Sequence, residues 1–431
     1  MAGPPVVVLG AGLTGLSAAL SLERAGVEAR VLERATRVGG HAVTDEDRGF
    51  RFDRTGHLLH LRDPGVRADV LRWIGDDRVS VARRSFVYSH GVYTRYPFQA
   101  NTHGLPPEVA YECVMGFLDA RSRERPPPRD FRDHCLQVFG EGISRHFMLP
   151  YNEKLWGVPA TEITAAWCQR FVPVPRVEDV IAGAVGLHDR ELGYNASFVY
   201  PRRGIGALPE AMAREARGVE LGRLVTAVDW RARRVRVGAE TVPYERLVST
   251  LPLDVLGRAL VDPPPEVRAA VERLRCTSLT YLDVAVRGAV LRDLHWVYVP
   301  ERALPFYRVG CYSNFSPDVA PEGHSSLYVE LAARGPADGA AISRALDALV
   351  TMGLLASRDD VLFVRARELS HAYVIFDHAY YGALAVIEPF LREQGILSTG
   401  RYGGWNYSSM EDALLFGRAA AREVLDAAGA R

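Results

Sequence analysis

Apolar positions near the start of the chain follow first a strand pattern and then a helical one. Residues 5–9 form a continuous apolar run, which is typical of a buried parallel strand, and residues 13–25 repeat apolar positions with a helical period. Residues 28–33 return to a short strand pattern. The pattern therefore predicts a strand–helix–strand unit at this end of the chain.

Beyond this unit, apolar periodicity divides the chain into helical and strand-rich regions. We predict a mainly helical region at about 106–195, interrupted by three prolines at 126–128, and then strands within 219–252. A short helix follows the prolines at 263–265, and strands with one helix near 340–355 extend across 277–375. A closing amphipathic helix is predicted at 411–428.

Composition excludes several classes of protein. The 431 residues include 52 basic and 52 acidic side chains, and this balance argues against a nucleic-acid-binding or polybasic membrane protein. The chain has no apolar run near the ~20 residues of a membrane span and no leader pattern at its start. Five scattered cysteines with no C-x-x-C pair indicate neither a metal site nor a disulfide framework. We expect a cytoplasmic enzyme.

A glycine motif lies between the first predicted strand and helix. In Gly10-Ala-Gly12-Leu-Thr-Gly15, Gly10 permits a tight turn, Gly12 lets the backbone approach a pyrophosphate, and Gly15 allows close helix–strand packing. The pyrophosphate would meet the positive end of the helix. Glu33 ends the second strand, where a carboxylate can bind a ribose and disfavours the 2′-phosphate of NADP. The motif predicts dinucleotide binding.

A second glycine pair follows in Arg34-Ala-Thr-Arg-Val-Gly39-Gly40-His41. It resembles the extended motif of two-domain FAD-binding oxidoreductases, and residues 395–404 resemble their second flavin contact. The resemblance implies FAD rather than NAD. The cofactor-binding residues that we expect are Gly10, Gly12, Leu13, Thr14, Gly15, Glu33, Arg34, Gly39, Gly40, His41, Val225, Gly400, Arg401, Tyr407, Ser408 and Met410.

Dinucleotide-fold patterns at both ends and in the middle of the chain indicate a discontinuous domain with two insertions. The predicted fold class combines α/β and α+β, with a Rossmann-like FAD-binding domain, an inserted helical domain and an antiparallel-sheet substrate domain. We predict the FAD-binding domain at 1–60, 196–275 and 392–431, the helical insertion at 100–195, and the substrate domain at 61–99 and 276–391.

Five further segments combine aromatic and polar residues. They are Thr55-Gly56-His57, Tyr96-Pro97-Phe98-Gln99, Phe147-Met-Leu-Pro150-Tyr151-Asn152-Glu-Lys154-Leu-Trp156, Phe306-Tyr307-Arg308 with Ser313-Asn314, and Gly400-Arg401-Tyr402-Gly403-Gly404-Trp405-Asn406-Tyr407. In the same order, these segments resemble the motifs of the UDP-galactopyranose mutase family, and the eukaryotic type more closely than the bacterial one. The resemblance extends over nearly the whole chain.

The resemblance implies a reaction. In that family the N5 atom of reduced flavin attacks the anomeric carbon of a nucleotide-diphosphate sugar and displaces the nucleoside diphosphate. The sugar ring of the flavin adduct opens and recloses through another hydroxyl, which interconverts pyranose and furanose forms without net redox change. The implied substrate is an NDP-sugar similar to UDP-galactose, and NAD(P)H or another reductant would keep the flavin reduced.

The resemblance also implies roles for individual residues. Catalytic roles fall to His57 and Gly56 beside the flavin N5, to Arg308 as a bidentate clamp on the displaced diphosphate, and to Arg401 as a charge that favours the anionic reduced flavin. The implied substrate-binding residues are Tyr96, Phe98, Gln99, Asn152, Trp156, Arg202, Arg203, Tyr298, Arg308, Asn314, Tyr373 and Tyr407.

Two positions qualify this interpretation. The family places a second phosphate-binding arginine two residues before the proline of a glycine turn, and Val199 stands there in this chain, so Arg202 or Arg203 is left to replace it. Lys154 is the single lysine among the 52 basic residues and occupies the lysine position of the family motif. Coding bias explains the abundance of arginine but not the one lysine that remains.

Three functions stay open. The first is a nucleotide-sugar mutase, and the second is an FAD-dependent oxidase or desaturase of the amine oxidase or protoporphyrinogen oxidase-like group that acts on an apolar substrate. The third is a flavin-fold binding protein without catalysis. The sugar, the nucleotide and the oligomeric state, a homo-oligomer included, also stay open.

Overall fold

The computed structural model describes residues 5–122, 125–168, 172–187 and 197–429. The strands are β1 (Val6–Leu9), β2 (Ala29–Leu32), β3 (Thr44–Asp47), β4 (Phe50–Asp53), β5 (Arg78–Ala82), β6 (Ser85–Ser89), β7 (Val92–Arg95), β8 (Ser197–Pro201), β9 (Val219–Glu220), β10 (Val225–Asp229), β11 (Arg234–Val237), β12 (Glu240–Pro243), β13 (Leu247–Ser249), β14 (Cys276–Arg287), β15 (Trp296–Tyr298), β16 (Phe306–Cys311), β17 (His324–Leu331), β18 (Val361–Val374) and β19 (Ile396–Ser398).

The helices are α1 (Leu13–Arg24), α2 (Pro64–Ile74), α3 (Pro107–Arg121), α4 (Phe131–Val138), α5 (Gly140–Ile143), α6 (Leu149–Trp156), α7 (Val177–Ala184), α8 (Ala207–Glu215), α9 (Leu253–Ala259), α10 (Pro265–Glu272), α11 (Gly339–Thr351), α12 (Tyr380–Glu393), α13 (Gly400–Gly403) and α14 (Met410–Gly429). The predicted domain boundary at residues 195 and 196 lies outside the described residues.

A parallel sheet forms the first layer of the described structure. Its strand order is β19-β13-β1-β2-β9, so it joins segments from both ends and the middle of the chain. The closing helix α14 packs on α1, and a Cβ at Gly417 would lie 2.4 Å from the Thr14 carbonyl oxygen. The predicted strand–helix–strand unit and the predicted fold class are confirmed, whereas the domain limits stay a prediction.

A seven-stranded sheet of order β18-β14-β17-β16-β15-β6-β7 forms the second layer. Its pairings are antiparallel except for β15 with β6, which is parallel. On one face, Val309 and Val329 pack with Leu349 of α11 in a buried apolar cluster. On the other face, Arg308 and Glu330 lie opposite each other in register. This second face carries much of the candidate site.

A β-bulge in β16 decides which side chains reach that face. The pairing with β17 shifts register between Phe306 and Arg308. Phe306 and Val309 belong to the cluster beneath α11, while Tyr307 belongs to the larger apolar cluster on the opposite side. Because a bulge inserts one residue against the alternation of a strand, Tyr307 and Arg308 both point away from α11.

The described part of the segment between β7 and β8 is mainly helical, as predicted. Helices α3 to α7 enclose large buried rings, among them Phe117, Phe131, Phe147 and Trp156, in the same apolar cluster as Tyr307. Within the described ranges, no helix is both long enough and apolar enough to cross a membrane.

Candidate active site

The predicted glycine turn connects β1 to α1 and leaves no room for a side chain at Gly10 or Gly15. Gly10 has φ +95°, and a Cβ at Gly15 would lie 1.9 Å from the Gly10 carbonyl oxygen. Gly12 caps α1 without a side-chain hydrogen bond and faces Gly40, whose Cα lies 3.9 Å from the position of a Cβ on Gly12. The first N–H groups of α1 therefore remain available to an anion.

The carboxylate of Glu33 is bound into this turn. It accepts hydrogen bonds from the backbone N–H of Ala11 at 2.7 Å and of Ala35 at 2.8 Å, and the residue is buried. Its carbonyl accepts the N–H of Arg223 at 2.7 Å, which brings Val225 of β10 to the same edge. Glu33 therefore orders the turn. Its carboxylate oxygens keep lone pairs that these two N–H groups do not use, and a ribose hydroxyl would donate to them. Arg34 is exposed.

The second predicted flavin segment contacts the first. Gly400 has φ +86°, and a Cβ there would lie 2.8 Å from the hydroxyl of Thr14 in α1. The nearby helix α14 is capped by Ser409, whose hydroxyl accepts the backbone N–H of Asp412 at 3.2 Å, while the Asp412 carboxylate accepts the backbone N–H of Ser409 at 2.8 Å. Met410 is the first residue of α14. The fold thus brings the two glycine segments, which are nearly 400 residues apart in the sequence, to one place.

Several buried polar atoms in this region have no hydrogen-bond partner among the described residues. They include Nδ1 of His41 and of His57, Oδ1 of Asn406 and Oγ of Ser408. Burial lowers the pKa of His41 to about 3 and the pKa of His57 to about 4, so both rings are neutral near pH 7. Buried polar groups are normally paired, and these atoms together with the glycine turn fit a bound FAD.

Arg401 is enclosed by aromatic rings and backbone carbonyl groups. Its guanidinium donates to the carbonyl of Ser408 at 2.5 Å and of Ala372 at 3.4 Å. Its guanidinium carbon lies 5.6, 5.6 and 4.8 Å from the ring centroids of Tyr373, Tyr402 and Tyr407. In the described part of the chain no carboxylate forms an ion pair with Arg401, so its charge is balanced by no acidic side chain.

Arg308 has an acidic partner. It donates to the Glu330 carboxylate at 2.5 Å and to the Tyr373 hydroxyl at 3.3 Å, and Glu330 is fully buried. The side chain of Arg308 keeps 19% of its accessible surface, and Tyr298 lies opposite it in register on β15. Arg308 therefore has N–H groups that remain open to a ligand on the side away from Glu330.

Aromatic contacts connect these charged residues. Tyr96 contacts Tyr298 at a centroid distance of 4.8 Å, and Tyr373 stacks on Tyr407 at 6.0 Å. Trp156 contacts both Tyr373 and Tyr407. The charges of Arg401 and Arg308 both help to lower the pKa of His57, so this ring belongs to the same buried region. The structure therefore brings together the predicted residues Tyr96, Trp156, Tyr298, Arg308, Tyr373, Arg401, Tyr407 and His57.

Other predicted residues form contacts of a different kind. Phe98 is fully buried and stacks on Phe147, and Gln99 donates to the Pro173 carbonyl at 2.7 Å. Asn152 donates to the Met148 carbonyl, and Asn314 donates to the Leu294 carbonyl at 2.6 Å. Arg202 pairs with Asp318 at 3.5 Å, and Arg203 is exposed. No described contact joins these residues to Arg308 or Arg401, and their ligand roles stay predictions.

Sequence reasoning missed Glu330 and Tyr328 of β17. A Cβ at Gly56 would lie 2.5 Å from the Tyr328 hydroxyl, and a Cβ at Gly310 would lie 2.1 Å from its ring. Both glycines are therefore required by one tyrosine. The signal for Glu330 is a carboxylate within a strand that is buried from Ser325 to Leu331, since such a charge needs a partner.

Lys154 holds the connection between β15 and β16. Its ammonium donates to the carbonyl oxygens of Val299, Glu301, Leu304 and Phe306 at 3.0, 2.8, 3.1 and 2.5 Å. Tyr298 and Arg308 flank this connection. The lysine of the family motif is thus bound to the backbone that carries two of the candidate substrate residues.

Comparisons with known proteins agree with this architecture. A family model described as flavin containing amine oxidoreductase matches residues 13–425. A crystal structure of reduced UDP-galactopyranose mutase has a TM-score of 0.92 to this chain and 28% identity, and the match covers 99% of this chain and 94% of that one.

Sequence relatives match shorter segments. The phytoene dehydrogenase of Streptomyces griseus is 27% identical over 306 residues, which are 60% of this chain and 56% of that protein. Pyridine nucleotide-disulfide oxidoreductase domain-containing protein 2 of Rattus norvegicus is 48% identical over 65 residues, which are 15% of this chain and 11% of that protein. The chain thus spans less than two thirds of the length of both relatives.

The structural match confirms the resemblance to UDP-galactopyranose mutases that the motifs predict. The family model covers nearly the whole chain, including the second glycine segment at residues 400–404 and all strands of the seven-stranded sheet. These residues thus identify a flavoprotein fold built for FAD. The chain belongs to the flavin containing amine oxidoreductase family.

Proposed function

We propose that this flavoprotein is a nucleotide-sugar mutase that interconverts pyranose and furanose forms of an NDP-sugar similar to UDP-galactose, without net redox change. Bound reduced FAD would supply the nucleophile for this chemistry. The proposal includes a cytoplasmic location and a supply of electrons from NAD(P)H or another reductant. Its support is the site geometry and the likeness to a structure titled reduced UDP-galactopyranose mutase.

One observation carries the proposal: two arginines lie in a buried cluster of tyrosines. Arg308 and Arg401 both approach Tyr373, one through its hydroxyl and the other over its ring. Guanidinium groups match phosphate oxygens with paired N–H donors and stay charged at any relevant pH. A site for an apolar substrate has no use for the buried charge of Arg308.

The hydrogen-bond and ion-pair partners of each residue suggest its role in the proposed reaction. Arg308, oriented by Glu330, would clamp the diphosphate as it leaves and returns, and the Tyr298 hydroxyl beside it would add a further donor. Arg401, which lacks an acidic partner in the described structure, would favour an anionic reduced flavin by its charge. His57, kept neutral by burial, would orient the region near the flavin N5 without adding a second positive charge.

A second candidate is an FAD-dependent oxidase or desaturase that acts on an apolar substrate. The match to a protein named phytoene dehydrogenase over 306 residues favours it. An apolar substrate would give the buried guanidinium of Arg308 and the tyrosines around it no group to bind. It also predicts oxygen-dependent turnover that the mutase reaction lacks.

The deciding experiment uses the purified flavoprotein reduced chemically under anaerobic conditions. We expect furanose product from UDP-galactose or from another member of a panel of nucleotide sugars, and none from the oxidised protein. Product analysis by chromatography measures the result. No product from any sugar, together with rapid oxygen consumption on a polyene or amine substrate, would establish the second candidate.

A further inference from the structure

A short segment of β18 leaves the regular ladder beside the candidate flavin site. The pairing of β18 with β14 shifts register between Thr277 and Leu279, so that residues 370–372 of β18 face the single residue Ser278. Extra residues in such a bulge are left without ladder partners, and bulges are common next to active sites. The backbone oxygen atoms of residues 370–372 can therefore bind groups outside the sheet.

The backbone of this bulge contacts three side chains of the candidate flavin site. The Ala372 carbonyl accepts the Tyr402 hydroxyl at 3.1 Å and an N–H of Arg401 at 3.4 Å. Burial lowers the pKa of His41 to about 3, and a hydrogen bond to the backbone of His371 opposes that shift. The position of the bulge therefore affects the orientation of the Arg401 guanidinium.

The side chain of His371 connects the bulge to helix α9. Its Nε2 atom lies 3.0 Å from Oδ1 of Asp254, and its Nδ1 atom lies 3.1 Å from the Ser370 hydroxyl. The side chains of Asp254 and His371 keep only 9% and 18% of their accessible surface. Because a buried carboxylate needs donors, this contact favours the His371 tautomer with its proton on Nε2. Both ring nitrogen atoms thus have partners within the chain.

Helix α9 belongs to the layer that carries the glycine segments. It follows β13, which lies between β19 and β1 in the parallel sheet, and β19 leads into the segment that begins at Gly400. The His371 ring also packs near this segment, with its centroid 6.3 Å from that of Tyr402 and 6.4 Å from that of Trp405. The contact between His371 and Asp254 therefore joins the seven-stranded sheet to the parallel sheet at the candidate flavin site.

We propose that His371 and Asp254 are positioning residues for the flavin site, because they fix the bulge of β18 and thereby the orientation of the Arg401 guanidinium. The inference rests on the part of the proposed function that places Arg401 beside the flavin. Since the interaction between charges depends on their separation, a displaced guanidinium would stabilise the anionic reduced flavin less. The contact between His371 and Asp254 thus acts on the flavin through Arg401.

The test measures the midpoint potential of the flavin in the holoenzyme by spectroelectrochemistry. His371→Phe keeps a ring against Tyr402 and Trp405 but removes the donor to Asp254. We expect it to lower the potential, as Arg401→Gln does, by ~30 mV, which corresponds to a tenfold change in the equilibrium constant of a two-electron couple. His371→Gln keeps an N–H donor and should stay closer to wild type.

Two further variants separate this contact from the general properties of α9. Arg258→Ala is the matched control, because Arg258 is 64% exposed and donates to Oδ2 of Asp254 at 2.8 Å, the oxygen that His371 does not use. Its potential should equal that of wild type. Asp254→Asn keeps an oxygen acceptor but loses the charge, so it should lower the potential by a smaller amount. It tests the same contact should His371→Phe yield no holoenzyme.

A double variant shows whether the histidine acts through the arginine. The potential of His371→Phe combined with Arg401→Gln should equal that of Arg401→Gln alone, because the charge that His371 positions is already absent. A role of His371 in stability alone would lower the resistance of the holoenzyme to urea and leave the flavin potential unchanged.

Three outcomes would overturn the inference. The first is a wild-type potential in the His371→Phe holoenzyme or, failing that protein, in Asp254→Asn. The second is an equal shift in Arg258→Ala. The third is a His371→Phe shift that persists in full in the Arg401→Gln background. Failure of the role proposed for Arg401 is distinct, because Arg401→Gln itself would then leave the potential unchanged. Failure of the mutase reaction is distinct as well, because the anaerobic assay would yield no furanose while the shifts in potential remained.

Discussion

Replacing the single lysine should loosen the connection between β15 and β16 and lower stability. Lys154→Met leaves four backbone carbonyl oxygens without the ammonium that they share. Hydrogen bonds to charged groups contribute ~1.5–3 kcal/mol each, but an ammonium has three N–H donors for these four acceptors. Burial also lowers the pKa of Lys154 to about 7, and this desolvation offsets part of the gain.

The expected net loss for Lys154→Met is therefore about 2–4 kcal/mol in the free energy of unfolding. Lys154→Arg should lose about half as much, because a planar guanidinium cannot direct its donors at four oxygens that converge on one point. Urea unfolding of the holoenzyme measures both losses. Hydrogen exchange of residues 299–306 locates them, since the N–H of Val299, bound to the Tyr307 carbonyl at 2.8 Å, should exchange faster.

Arg302→Ala is the matched control for this experiment. Arg302 lies on the same connection but forms an exposed ion pair with Glu153 at 2.7 Å, which contributes at most ~1 kcal/mol. If Lys154→Met unfolds at the wild-type urea concentration and residues 299–306 exchange as slowly as before, then the four carbonyl contacts contribute nothing and the lysine is a coincidence.

Three other perturbations test the charges of the site. Arg308→Lys should weaken UDP binding by over tenfold while it preserves the ion pair with Glu330, and unchanged affinity by calorimetry would remove Arg308 from the site. Arg401→Gln should lower the flavin midpoint potential by roughly 30–60 mV, because a positive charge near the reduced flavin is lost, and an unchanged potential in spectroelectrochemistry would refute its role. His57 has a folded pKa of about 4 against about 6.5 unfolded, so the unfolded chain binds the extra proton between these values. The stability advantage of wild type over His57→Gln should accordingly shrink by up to about 3 kcal/mol as the pH falls from 6.5 to 4, and a constant difference in urea unfolding would contradict the burial argument.

Local patterns predicted the parts of the fold that depend on neighbouring residues. The turn from β1 to α1 needs glycine at positions 10 and 15, and the sequence carries that requirement in one short motif. The same holds for α11 and α14, whose apolar stripes predict their bounds to within a few residues. The sequence predicts these elements directly because the residues that determine each element lie within it.

Local sequence patterns could not predict pairings between residues that are distant in the chain. The ion pair of Arg308 with Glu330 depends on the register of β16 against β17 and on a bulge that no local pattern announces. The ladder of β5 with β8 joins residues more than 100 positions apart, and it places Arg83 and Arg202 at opposite ends.

The positive charges of the described site divide into those that acidic side chains balance and those that they do not. Glu330 balances Arg308, and four carbonyl dipoles surround Lys154, whereas Arg83 and Arg401 have aromatic and backbone neighbours only. A protein with zero net charge thus holds two guanidinium groups that have no acidic partner among the described residues. Buried charge without a partner is costly, so it persists where a ligand brings the opposite charge. A diphosphate beside an anionic flavin meets that requirement, and an apolar polyene does not.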